Sequence, residues 1–275
     1  MNLKTLIDKP PWEWPANADN TLLAVLTDDQ AEADDRLAAA ELAGDLVVIN
    51  DELVDALLTI LHDDEEAEAL RSQAVIALGP LFEEMDVRFD DLDEPVITEI
   101  RFEQIKEALH QLYLDGETPE DVRRSILEAS VRAQQEWHED AVRAAYSNDD
   151  GLWQLTAVFC MRYVRGFEEQ ILEALDSTNA AIHFEAVGAA GTSEIDAAWS
   201  HVAALASSEK TEKPLLLASI DALIGIRPRQ AGDVLGQLLD SEDEDISDAA
   251  YEALAMAEAM VEDADYDDED DATIH

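Results

Sequence analysis

The segment RSQAVIALG, residues 71–79, sets a spacing that the chain uses repeatedly. Counting from Arg71, small or apolar residues stand at +3 (Ala74), +6 (Ala77) and +7 (Leu78), and glycine follows at +8 (Gly79). Such a spacing places them on one face of an α-helix with glycine as its stop. The same frame fits Arg36, Ala39, Leu42, Ala43, Gly44, then His183, Ala186, Ala189, Ala190, Gly191, and again Leu217, Ile220, Leu223, Ile224, Gly225. The chain is built from copies of one unit.

A single amphipathic helix cannot bury its face alone, so each copy needs a companion. Upstream of each stands a triplet with apolar residues at 0, +3 and +4: Leu22/Val25/Leu26, Val54/Leu57/Leu58, Ile105/Ala108/Leu109, Val142/Ala145/Tyr146, Ile171/Ala174/Leu175 and Val202/Leu205/Ala206, with a looser Val234/Leu238. The first residues of these seven triplets are separated by 32, 51, 37, 29, 31 and 32 residues. Polar turns such as LTDD (26–29), LHDD (61–64) and LDSTN (175–179) join the two helices and offer side chains to cap the second. A near-constant period of helix, polar turn and helix predicts an all-α fold, an α-solenoid forming a right-handed superhelix of about seven helix pairs. An irregular bundle would need no such period.

The solenoid is expected over 20–261. The long step of 51 marks a loop insertion near 83–101, where acids, Pro95 and the run Val96-Ile97-Thr98 break the helical period. Residues 1–19 form an N-terminal leader or cap, with Trp12 and Trp14 available to cover the open end of the first repeat. Residues 262–275 are so acidic that a disordered tail is expected.

The closing helices RSQAVIALG and LLASIDALIG resemble HEAT repeats, in particular the short PBS-lyase HEAT-like type. The run VRRSILEASVRAQQEWHEDAVRAAYSNDDGLWQLTAVFCM (122–161) is similar to that of bacterial HEAT-repeat proteins. The resemblance covers roughly 20–260 and implies the helical-pair fold. It implies scaffold or adaptor roles and, for a minority, bilin-lyase-like activity. The matched positions are packing residues, so no site residue carries over.

Charge narrows the partners. The 275 residues carry 17 Lys+Arg against 65 Asp+Glu, a net −48. Such a field repels phosphate backbones and anionic membrane surfaces, which argues against nucleic-acid and membrane binding. It fits either a solubility device or an acidic mimic that occupies a basic nucleic-acid-binding protein. One cysteine, Cys160, allows no internal disulfide and reads as a buried hydrophobe within LTAVFCM. With no secretory-type apolar segment and no stretch of membrane-spanning length, the expected location is cytoplasmic.

No nucleotide-binding glycine motif and no nucleophile elbow occurs. His62, His110, His138, His183 and His201 lie about a repeat apart, without the i, i+4 pairing of a metal-binding helix. His138-Glu139-Asp140 is a weak acid/base candidate, and Asp63-Asp64 and Asp149-Asp150 read as helix-starting residues. The expectation is therefore a protein without enzymatic activity, cofactor or metal.

What remains is binding. Residues 118–167 hold six arginines against eight acids, a net −2, where an even spread of the charge would give about −9. Arginine and tryptophan are enriched at interface hot spots. Arg124, Arg132, Trp137, His138, Arg162 and Arg165 are the candidate contacts for a protein partner on the concave face around the central repeats. The competing account is that these arginines neutralise neighbouring acids while the aromatics fill the core.

Overall fold

The computed structural model describes residues 2–88 and 96–272, with side chains described at 2–86 and 96–262. Its regular structure is helical, and among the described residues there is no β-strand. A short α1 (Leu3–Ile7) precedes the repeats. They run as α2 (Ala18–Leu26) with α3 (Ala33–Ala43), and α4 (Asp51–His62) with α5 (Glu68–Ile76) and the extra α6 (Gly79–Arg88). Next come α7 (Glu99–Leu114) with α8 (Glu120–Ser130), then α9 (Glu136–Tyr146) and α10 (Gly151–Cys160). The series closes with α11 (Glu168–Ala174) and α12 (Ala180–Thr192), α13 (Trp199–Ala206) and α14 (Lys213–Ile226), and α15 (Pro228–Leu235) and α16 (Glu244–Ala272). The seven expected pairs are all present among the described residues. The chain divides into two compact units, Met1–Ala141 and Val142–His275, each taken by itself below.

Within the first unit each leading helix packs on its partner, and the second helices α3, α5 and α8 pack in succession. In the second unit α10, α12, α14 and α16 do the same. The triplets face the core as their spacing requires. Leu22, Val54, Leu57, Ile105 and Leu109 are fully buried in the first unit, and Val202 and Ile171 are buried in the second. The frame positions Ala39, Ala43, Ala74, Ala186 and Ala190 are likewise fully buried, small enough for neighbouring helices to come close. In the last pair the buried residues are Ala231 and Leu235 rather than Val234 and Leu238. Alanine carries the first position there, which moves the triplet three residues earlier.

Arg36 and Arg71, which share the first frame position, do the same work. Arg36 Nη2 donates to the Leu26 carbonyl and Arg71 Nε to the Leu61 carbonyl, at 3.1 and 2.9 Å. Each satisfies a carbonyl left open at the end of the preceding helix, where a cation also meets the negative end of the helix dipole. Arg71 can therefore be 3% exposed, its charge met by Asp64 at 3.1 Å. Cations also clip one repeat to the next: Arg36 to Glu66, Lys213 to Asp243 and Arg227 to Asp196.

The turns divide their labour. Asp150 and Asn179 cap α10 and α12 through the N–H groups of Leu152 and Ala181. Asp28 and Asp63 instead accept from Gln30 and Glu65 N–H, closing the turn itself rather than capping the next helix. In the leader, Leu3 and Leu6 are buried, and the Trp14 indole N–H donates to the Leu6 and Lys9 carbonyls at 3.0 Å, whereas Trp12 is 81% exposed.

Two expectations about irregular segments change. Residues 83–88 of the supposed loop complete α6, which buries Leu81, Phe82 and Met85 and sets Phe82 edge-on to Phe102 at 5.2 Å. Residues 99–101 already belong to α7, and 89–95 lie outside the described residues. The acidic run expected to be disordered from 262 continues α16 as helix to Ala272, since extending a formed helix costs far less than starting one. Residues 273–275 lie outside the described residues.

Candidate functional site

The six residues singled out by charge and aromatic content have different fates. In the first unit, Arg124 pairs with Asp121 one turn away at 2.5 Å, and its side chain is only 14% exposed. Arg132 reaches back to Glu83 on α6 at 2.9 Å and lies against Gly79. Trp137 stacks on His110, the rings 4.7 Å apart and 9° from parallel, with Tyr113 and His138 against its other sides. Trp137, His110 and Tyr113 are half-buried, so the indole is held against neighbouring rings with part of its surface still open.

His138 cannot meet a partner, because its ring is fully buried and both nitrogens are used. Nδ1 accepts the Gln135 backbone N–H at 2.9 Å, so the proton sits on Nε2 and is donated to Ser130 Oγ at 3.0 Å. The Ser130 hydroxyl in turn donates to the Ile126 carbonyl at 2.6 Å. Burial, and secondly the nearby His110, push the imidazole down to about 3. A neutral ring with no exposed atom is a core strut, which removes both the partner contact and the acid/base role expected at His138.

In the second unit, Arg165 is exposed and no carboxylate pairs with it among the described residues. Arg162 follows α10, pairs with Glu185 on α12 at 2.7 Å, and spreads its guanidinium over Gly188, where any Cβ would collide with it. Here a groove of about 520 Å³ opens between α12 and α14, with Arg162 at its edge. Arg162 and Asp221 supply its charges, Phe184, Pro214, Leu217 and Ala218 its apolar wall, and Gly188 and Gly191 part of its floor. Asp221 is exposed to the groove, and its carboxyl is raised above its ordinary value, first by partial desolvation and then by Glu252 of α16.

Of these groove residues only Arg162 was among the sequence candidates. Leu217 carried a signal: it holds the frame position that Arg36, Arg71 and His183 occupy in other copies, so an apolar side chain stands where polar ones are the rule. Phe184 and Asp221 gave none, because only the stacking of α12 on α14 brings them together. Stacking also joins two histidines that lie 18 residues apart. His183 and His201 face each other with Nε2 atoms 2.9 Å apart, both rings half-buried. Among the described residues no group of three or more His, Cys, Asp or Glu side chains converges as a metal site, and no helix is long and apolar enough to cross a membrane.

No family model matches the chain, and no curated protein matches its sequence. Solved structures of similar fold exist. Human deoxyhypusine hydroxylase in complex with glycerol is 17% identical with a TM-score of 0.41, the match covering 94% of this chain and 88% of that one. The YibA protein of Escherichia coli is 12% identical with a TM-score of 0.48, covering 86% and 92%. The complex of CpcE and CpcF of phycocyanin lyase from Nostoc is 18% identical with a TM-score of 0.46, covering 91% and 98%. They are HEAT-like helical repeat proteins, and the likeness concerns the fold. The expectation of a chain without enzymatic activity is corrected here: a hydroxylase and a lyase stand among the neighbours, so the repeat fold is no argument against catalysis.

Proposed function

We propose that this chain is a protein-binding repeat protein that takes a basic segment of a partner along the second-helix face of its Val142–His275 unit. The observation that carries the reading is the groove between α12 and α14, left open between helices that elsewhere pack closely. Its apolar wall offers area to bury, and pockets of this kind with a few placed charges are the usual form of recognition sites. Its charge favours a cation. Arg162 is already held by Glu185, whereas Asp221 suffers both desolvation and repulsion from Glu252. A lysine or arginine of the partner placed beside Asp221 would offset the repulsion and favour the ionised carboxylate. The net −48 of the chain would also speed the encounter with a basic surface.

The test is a photo-cross-linking residue placed at Leu217, with one at the exposed Leu114 as control. Adducts with a basic protein at Leu217, lost when Asp221→Lys is added without a change in melting, support the proposal. Adducts equal at both sites, or unchanged by Asp221→Lys, refute it. The charge also favours a second reading, in which the acidic surface as a whole occupies a basic nucleic-acid-binding protein. Binding would then fall steeply with salt and would not depend on Leu217.

A further inference from the structure

In the Met1–Ala141 unit, α7 turns Phe102, Ile105 and Leu109 into the core and leaves Ile100 74% exposed. Among the described large hydrophobic side chains only that of Trp12 is more open. Residues four apart on a helix stand one above another, so Ile100, Gln104 and Ala108 form one ridge and Glu103 and Glu107 the ridge beside it. A groove of about 740 Å³ separates the first ridge from α4. The half-buried Leu58 and Ala108 give it an apolar floor, and Asp55, Thr59 and His62 line its α4 side. A second hollow of about 650 Å³ shares Gln104 and Ala108 with it and takes in Ile100, Glu103 and Glu107. The open surface therefore continues from α4 over the Ile100 ridge to the acids of α7.

Charge decides what suits this surface. Arg101 is held by Asp55 across the groove, and Lys106 by Glu103. The His62 ring is engaged by the Leu58 carbonyl of its own helix. Among the described residues the carboxylates of Asp63 on the α4 side and Glu107 on the α7 side receive neutral donors, the Glu65 backbone N–H and the Gln111 side-chain amide. An apolar strip is thus bordered on each flank by a carboxylate that no cation matches. A nucleic acid would bring phosphates against these acids, and a second copy of the chain would bring its own net −48. The complement is a helix whose apolar stripe is edged by lysine or arginine on both sides, since helices pack ridge into groove with axes about 8–10 Å apart. We propose that the surface between α4 and α7 is a docking site for a basic amphipathic helix of a partner protein, distinct from the groove between α12 and α14 and independent of it.

The probe is a synthetic peptide of about 18 residues, long enough to form a helix, with leucines along one face and lysines on both flanks. Two controls keep its composition: one is shuffled so that no apolar face forms, and the other carries a central proline in place of one leucine. Binding to the full chain is followed by fluorescence anisotropy in about 0.15 M salt, where loosely placed charges are screened, and helix gain by circular dichroism. The amphipathic peptide should bind and gain helix. Ile100→Ser should weaken binding at least about tenfold, as loss of one large aliphatic contact does, and Glu107→Lys at least about threefold. Leu152→Ser, at another exposed leucine, and Asp221→Lys in the α12–α14 groove should leave it unchanged. Both test positions are exposed, and if one variant melts low the other decides. No binding, equal binding of either control peptide, affinity indifferent to Ile100→Ser, or affinity lost in Asp221→Lys overturns the proposal.

Discussion

Gly191→Ala adds one methyl group to a buried helix position. The new Cβ would lie 2.6 Å from Ala222 Cα and 2.9 Å from its Cβ on α14. Carbon atoms pack at roughly 3.5–4.0 Å, so α12 and α14 have to part by about 1 Å, which forfeits a quarter to a half of each contact along the seam. Overpacking of this kind costs about 1–3 kcal/mol, and the obstacle here is backbone, which places the cost at the upper end. Alanine is the better helix former by about 1 kcal/mol, which offsets part of it. The net expectation is a loss of about 2 kcal/mol, or roughly 6–10 °C in melting temperature for a unit of this size. Gly151→Ala is the control, since no atom lies within 4 Å of the added carbon. Thermal melts followed by circular dichroism compare the two. A Gly191→Ala protein that melts as high as Gly151→Ala would refute the close-packed seam.

Other consequences are open to measurement. Ala186→Leu, at a fully buried frame position, should cost about 1–3 kcal/mol in a denaturant titration, while Ala181→Leu on the exposed side of the same helix should cost little. Arg71→Lys should lose about 1–3 kcal/mol, because lysine has one terminal nitrogen in place of the fork whose separate nitrogens reach the Leu61 carbonyl and Asp64. His138→Asn should alter the response to acid. With the folded pKa depressed to about 3, the unfolded chain binds the proton first, so this residue's contribution is complete above about pH 6.5 and is lost towards pH 3, at up to about 1.4 kcal/mol per pH unit. The stability gap between the unmodified protein and His138→Asn should therefore be narrower at pH 5 than at pH 7.5, and an equal gap would contradict the buried neutral ring.

The repeat was legible because burial imposes its own period: a residue such as Leu57 or Ala186 must face its neighbour in every copy or the stack fails. The departures have physical causes too. Gly79-Pro80 reads as a stop, yet proline suits the first turn of a helix, and α6 begins there and buries Phe82. The site was far less legible. Counting arginines in a window cannot reveal that Arg132 is held by Glu83, or Arg162 by Glu185, because those acids come from other repeats. The arginines that make the middle of the chain less acidic than the rest are therefore largely committed to its own helices. The groove and the histidine pair arise from residues that approach only when α12 meets α14 and α13.

The arginine seated on a glycine limits how this chain can change over time. Any side chain at position 188 would evict the guanidinium of Arg162, and with it the contact to Glu185 and one wall of the groove. The two positions are therefore not free to drift separately. A side chain at 188 makes the guanidinium of Arg162 swing aside and give up Glu185, so the effects of substitutions at 162 and 188 should not be additive.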